Sequence, residues 1–216
     1  MIQFLANTLP FLWQGLLVTL AVSGLVVASS LVSGVLFGVG LAYGPRWIAW
    51  PIRIYSDILR GTPLLVLIFL IIYGLPLVGI DFGNYGSAVI ALAAFKTAHV
   101  AEIARGAIQS IHYGQTDAGK AIGLTFRQRL QYVIMPQAVR RFLPPWINAV
   151  ADAVKGSALV SLAGIVDLTL ATQQVIGRTY DPLPMYLLAA AMYFAINYSL
   201  SLASRQLEAR FAYIRE

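Results

Sequence analysis

Four ionisable side chains, Lys96, His99, Glu102 and Arg105, recur at three-residue intervals inside an otherwise apolar stretch. On a helix each step advances about 4.5 Å and falls about 60° short of a full turn, so the four form a slowly winding stripe. A charge at bilayer depth costs about 2.5–3.5 kcal/mol on the insertion scale and therefore faces protein or water. A second set, Asp152 and Lys155 at i, i+3, is followed by Ser157 and Ser161. Two readings are open. Lys96, His99, Glu102, Asp152 and Ser157 can line a polar translocation path, with Lys96 and Asp152 meeting the carboxylate and amino group of a zwitterion. Alternatively Lys96 and Asp152 pair with each other and lock a bundle, while Glu102 and Arg105 pair structurally.

Other chemistry finds little support. Gly114 to Ala121 nearly matches the phosphate loop G-x-x-x-x-G-K-[ST], but Ala121 replaces the hydroxyl that would hold magnesium and no strand precedes the loop. With no cysteine and only His99 and His112, no thiolate or polyhistidine metal site is expected. Neither G-x-S-x-G nor H-E-x-x-H occurs, so no activated nucleophile or zinc site is indicated. No cofactor is expected on this chain.

The elements that must hold these residues are membrane spans. The 216 residues are 59% hydrophobic and 11% charged, with mean hydropathy +0.75, against about 25% charged in ordinary soluble domains. A spanning helix takes about 20 apolar residues, and five spans are expected in one domain covering 1–216: about 11–42, 54–75, 86–111, 133–162 and 185–207. No charge precedes Arg46. The N-terminus lacks the basic segment and cleavage site of a secretory signal, so the first span is expected to be retained. Gly34 and Gly38 make a small-xxx-small pair, read as bundle packing in preference to a dimer seam. Residues 43–53, with Gly44, Pro45 and Pro51, read as a turn. Asp57 and Arg60 can pair at i, i+3, and Gly61-Thr62-Pro63 should break or kink the second span. Pro144-Pro145 suggests a discontinuous fourth span. Residues 164–184 read as a long loop with a short surface helix around 166–175. No internal repeat is found.

The net charge of +6 belongs on cytoplasmic loops, with no aromatic-interleaved basic run to suggest nucleic acid. One set of loops holds Arg46, Arg53, Lys120, Arg127, Arg129, Arg140, Arg141, Arg205, Arg210 and Arg215, and the opposite set only Arg178. The N-terminus is therefore expected outside and the C-terminus inside. The polar island 114–136, GQTDAGKAIGLTFRQRLQYVIMP, falls on the cytoplasmic side as a docking surface. A short amphipathic helix is expected there, with Asp117 near its N-terminus and Gly123 as its permissive C-terminal turn.

On these residues the chain resembles the membrane-spanning permease subunit of ATP-binding-cassette importers, polar amino-acid uptake branch, with the type I importer fold. The similarity runs from about Gly15 to Leu207. The island is similar to the family's cytoplasmic EAA motif: Asp117 stands for Glu, Ala118 and Gly119 for the two Ala, Gly123 for the Gly, and Met135-Pro136 for the closing return. Arg60-Gly61-Thr62-Pro63-Leu64-Leu65 and the stretch 101–111, AEIARGAIQSI, resemble this branch in particular. The resemblance implies an all-α, five-helix permease in the bacterial inner membrane, performing no covalent chemistry. Gly114, Asp117, Ala118, Gly119, Ala121, Gly123, Arg127 and Pro136 would form its coupling segment. The implied partners are a cytoplasmic ATPase dimer that carries ATP and magnesium, a second permease subunit (identical or paralogous), and an extracytoplasmic amino-acid-binding protein. Lys155-Gly156-Ser157-Ala158 departs from the branch's Lys-Asp/Asn-Ser/Thr-Ser/Thr run, so a basic, acidic or neutral amino acid stays open. The rival reading is a secondary transporter or channel driven by an ion gradient, with Lys96, Glu102 and Asp152 as a relay. A membrane scaffold without transport is a third.

Overall fold

The computed structural model describes the backbone of residues 2–211 and the side chains of 8–210; Arg215 lies outside them. Among the described residues there are helices and turns and no strands. Helix α1 spans Ile2–Tyr43, α2 Arg46–Gly61, α3 Leu64–Phe69, α4 Gly83–Gln109, α5 Tyr113–Ala121, α6 Phe126–Arg129, α7 Met135–Gly156, α8 Leu168–Thr179 and α9 Pro182–Phe211. Three segments, Thr8–Tyr43, Gly83–Gln109 and Pro182–Arg210, are each long and apolar enough to cross a bilayer unbroken. Two further stretches reach that length only as bent pairs: Arg46–Gly61 with Leu64–Val78, at 108°, and Phe126–Ala163 with Leu168–Thr179, at 52°.

Small residues set the central contact. A Cβ built on Gly34 would stand 2.6 Å from the Val100 Cβ, and one on Gly38 would stand 2.5 Å from the Ala104 Cβ. Beside Gly34, the Ser33 and Thr97 hydroxyls share a 2.7 Å hydrogen bond. The glycine pair thus packs α1 on α4 inside the chain, and the ascending numbers on both helices mean that they run parallel. Helix α7 runs antiparallel to α4. Ile108 and Ala138 share a core cluster at one end, and Leu92 and Ala153 share another farther along. Helix α9 descends beside α7 and α8, with the Tyr193 hydroxyl 3.1 Å from Thr169 Oγ1 and Ser204 Oγ donating to the Pro144 carbonyl at 3.4 Å. The C-terminal ends of α1, α4 and α9 therefore lie at one end of the bundle, and α5 follows from there.

Several expectations are corrected. Residues 43–53 are not a simple turn: Pro45 precedes a helix that begins at Arg46 and continues through Pro51. The 54–75 stretch is the later part of α2 and its sharply turned continuation, with the break at Thr62-Pro63, where both residues are extended. Pro144 and Pro145 do not interrupt α7. Proline's fixed φ suits a helix, and the Arg140 and Arg141 carbonyls that lose a donor belong to exposed residues. The widened turns fall elsewhere, at Leu70–Gly74 and Leu130–Ile134, just ahead of Pro76 and Pro136. The short helix expected around 166–175 forms, but as the buried helix α8 rather than on the surface, and the 164–184 region is not a long loop. Helix α8 buries Leu168, Ala171, Thr172 and Val175, packing with Leu12, Leu16 and Met185. Its start is held by Asp167, which is fully buried.

Candidate functional site: a charged stripe and a short exposed helix

Helix α4 separates its ionisable residues by neighbour. Lys96 is 7% exposed and lines a small cavity of about 10 Å³ with Ser30, Val100, Trp146, Val150 and Ala153. His99 Nδ1 lies 2.9 Å from the Phe95 carbonyl, and its ring packs on Phe95 with centroids 4.5 Å apart. One turn on, Glu102 Oε2 accepts from Arg105 Nε at 2.8 Å and Nη2 at 2.5 Å, and Arg60 of α2 lies 3.9 Å from the other oxygen. Arg60 thus leans toward Glu102 and makes no ion pair with Asp57, contrary to the sequence expectation.

Helix α7 does not supply the partner expected for Lys96. Asp152 pairs with Lys155 at 2.8 Å on an exposed face, so the Lys96–Asp152 lock is absent. Ser157 is buried, and its hydroxyl donates to the Val154 carbonyl at 2.8 Å. Of the five expected path residues, Lys96 and Ser157 are buried, His99 and Glu102 half-buried, and Asp152 exposed. This conformation brings no two of them into an ion pair.

The island 114–136 folds into the short helix α5 and, after a turn, the start of a continuous helical run in which α6 leads through the widened turn Leu130–Ile134 into α7. His112 caps α5, its Nδ1 accepting from Gly114 N at 3.1 Å. Asp117 lies at mid-helix, correcting its expected place near the N-terminus, and its carboxylate accepts from Lys120 Nζ at 3.0 Å. The Tyr113 hydroxyl accepts from the same ammonium at 3.3 Å. These two bonds raise the Lys120 pKa above its ordinary value. The helix ends at Ala121, and Gly123 follows in the left-handed region at φ 79°, the turn expected of a glycine there. Gly114, Asp117, Ala118, Ala121, Gly123, Arg127 and Pro136 are all exposed. Tyr113 is 67% and Ile122 76% exposed, so two large apolar side chains flank the helix.

Gly119 is the exception, being buried. A Cβ there would stand 2.9 Å from Cγ and Cδ of Arg129. Arg129 reaches back across the hairpin and donates from Nη1 to the Leu124 carbonyl at 2.8 Å, while Leu124 N donates to the Gly119 carbonyl at 2.9 Å. The glycine where the EAA pattern has alanine therefore admits the arginine stem. Arg129 is a positioning residue that the site reading omitted, with Thr125 and Gln128. These two form a reciprocal cap: Gln128 Oε1 accepts from Thr125 N at 2.9 Å and Thr125 Oγ1 accepts from Gln128 N at 3.4 Å. The T-x-x-Q spacing at 125–128 is legible in the sequence as a capping box.

Comparison with known proteins converges on one family. The profile of the family described as "binding-protein-dependent transport system inner membrane component" matches residues 34–213. The chain is 37% identical to the probable glutamine ABC transporter permease protein of Bacillus subtilis over 94% of each chain. It is 35% identical to the glutamine transport system permease protein of Escherichia coli, over 94% of this chain and 93% of that one. Among solved structures, a chain of a crystal structure of an amino acid ABC transporter with histidines superposes with a TM-score of 0.89 at 32% identity, covering 95% of this chain and 96% of that one. A chain of the MetNI methionine ABC transporter in an inward-facing conformation shares the fold, with a TM-score of 0.74 at 20% identity over 91% of this chain and 96% of that one. The charged stripe and the exposed helix thus sit in a shared all-helical frame, and the chain belongs to the inner-membrane components of binding-protein-dependent transport systems, as a translocation component and not an enzyme.

Proposed function

We propose that this chain is the permease subunit of an ABC importer for a polar amino acid, with glutamine the first candidate. The relatives named for glutamine transport, matched nearly end to end, support that substrate. Family membership implies a cytoplasmic ATPase and a binding protein as partners, and it removes the grounds for the ion-gradient and scaffold alternatives. A second permease copy, identical or paralogous, completes the path. ATP and magnesium belong to the ATPase.

The proposed topology has five crossings, with the two bent pairs serving as the second and fourth. The parallel run of α1 and α4 supports this, because the chain between them must return across the bundle. The end that carries Arg46, Lys120, Arg127 and Arg141 faces the cytoplasm, by the bias of cations toward that side. Residues 114–136 then form the coupling segment, and Lys96, His99, Glu102, Asp152 and Ser157 the path.

The observation that carries the coupling reading is the short exposed helix α5 between α4 and α7, closed by left-handed Gly123. It can move as a lever while its two flanking helices transmit the displacement. Co-purification in mild detergent tests it, comparing the wild type with a Gly123→Asp, Asp117→Lys double variant. Retention of a stoichiometric ATPase by the wild type and its loss from a folded variant is expected. Glutamine-stimulated ATP hydrolysis in the reconstituted complex then tests the substrate. A wild-type permease that binds no ATPase, or a complex stimulated by no polar amino acid, would refute the corresponding part.

A further inference from the structure

Helix α2 presents an exposed face of arginines and indoles. Arg46, Trp47, Ala49, Trp50 and Arg53 line an open groove of about 470 Å³. Arg46 and Arg53 are seven residues apart, so they share one face about 10.5 Å apart along the axis. Trp50 lies between them and Trp47 beside them, 69% and 75% exposed. Ala49, a short side chain, leaves the space that the groove occupies. Among the described residues no carboxylate lies within 4.0 Å of either guanidinium. The opposite face is occupied: Ser56 is buried, the Tyr55 hydroxyl donates to the Ala94 carbonyl at 2.7 Å, and Ile52 packs against Gly40.

We propose that this groove holds the headgroup of an anionic glycerophospholipid. Three features select that occupant. The two guanidiniums supply positive charge and forked donors that match phosphate oxygens. The two indoles have the amphipathic character of residues that settle at the headgroup level. The site also begins three residues after α1 ends at Tyr43, where a spanning helix reaches the interface. Pro51 is compatible with this, since it has no N–H to offer the Trp47 carbonyl, and at the interface water or a headgroup can serve that oxygen. An apolar partner helix would leave both guanidiniums unpaired on burial, at high cost. The leaflet follows from the orientation proposed above, whereas the lipid class follows from the groove itself.

The test uses the permease–ATPase complex in nanodiscs. Trp13→Phe and Trp146→Phe leave Trp47 and Trp50 as the only indoles of this chain, and the ATPase is used in a tryptophan-free form. Quenching is compared between brominated phosphatidylglycerol and brominated phosphatidylcholine at equal mole fraction. Stronger quenching by phosphatidylglycerol, reduced by salt, is expected. Arg46→Gln and Arg53→Gln should each lower the preference about fivefold, and together about 30-fold; the Arg→Lys pair should keep most of it. Equal quenching by the two lipids, or an unchanged preference in the Gln variants, overturns the proposal. If the Gln variants do not assemble, the two-lipid comparison on the unaltered arginines still decides. The chain has no cysteine, so Ala49→Cys offers a clean probe. An intermolecular disulfide at that position would assign the groove to a second copy and overturn the lipid.

Discussion

Gly38 lies directly beneath Ala104. A Cβ built on the glycine would stand 2.5 Å from the alanine Cβ and 2.7 Å from the Ala101 carbonyl oxygen. The backbone oxygen cannot swing away, so a side chain there must push α1 off α4. Gly38→Val is expected to destabilise the bundle by about 1–3 kcal/mol. Gly24, with nothing within 4 Å of its added Cβ, should accept alanine with little change. Thermal unfolding of the two variants in one detergent checks the contrast.

Glu102 joins two helices through its two arginines. Removing the carboxylate leaves Arg105 without its two short bonds and Arg60 without its partner on α4. In a double-mutant cycle of Glu102→Gln and Arg105→Gln, a coupling of about 0.5–3 kcal/mol is expected. Additive losses within error would show that the pair contributes nothing as a unit.

Asp167 ties α9 to the start of α8, beside a link from Leu168 to α1. Its Oδ1 accepts from Leu170 N at 2.9 Å and its Oδ2 from the Tyr193 hydroxyl at 3.3 Å. Thr19 on α1 accepts from Leu168 N at 3.1 Å. Asp167→Ala removes a cap and strands buried donors, at about 1–3 kcal/mol. Asp167→Asn keeps an acceptor for Leu170 N and should lose less. Urea or heat unfolding of the purified complex orders the two.

Gly123 is held left-handed, with open space around its added Cβ. Its substitution cost is therefore conformational. Gly123→Ala should cost about 1–2 kcal/mol locally and Gly123→Asn less, because asparagine visits that region more readily. ATPase retention should rank wild type, Asn, Ala. Alanine equal to glycine would remove Gly123 from the coupling proposal.

Lys120 gives α5 a pH signature. Its pKa is raised by bonds to Asp117 and Tyr113, so the ammonium's stabilising contribution is complete below the unfolded value of about 10.4 and is lost as pH rises through the higher folded value. The site is solvated, so the effect is small. The difference in unfolding temperature between wild type and Lys120→Met should be flat from about pH 7 to 9 and shrink above about pH 10. A difference that grew with pH would contradict the pairing.

The sequence by itself determined the composition class, the apolar character of the long helices, the break at Thr62-Pro63 and the turn at Gly123. Each of these follows from local physics, namely apolar length, proline's missing donor and glycine's tolerance of positive φ. The Gly34–Gly38 pair and the Glu102–Arg105 pair were legible for the same reason, since both rest on spacing along one helix. Tertiary structure decided which neighbours those elements meet. Asp152 turns to Lys155 and not to Lys96 because α7 faces it outward. Asp167 and α8 are buried because α1 and α9 close over them, although the segment's composition reads as a loop with a short surface helix. The space a Cβ on Gly119 would fill is taken by Arg129, ten residues later, which folds back across it. The parallel run of α1 and α4 likewise depends on contacts more than 60 residues apart in the chain. No local pattern encodes such contacts, because they arise only when separate faces find one another.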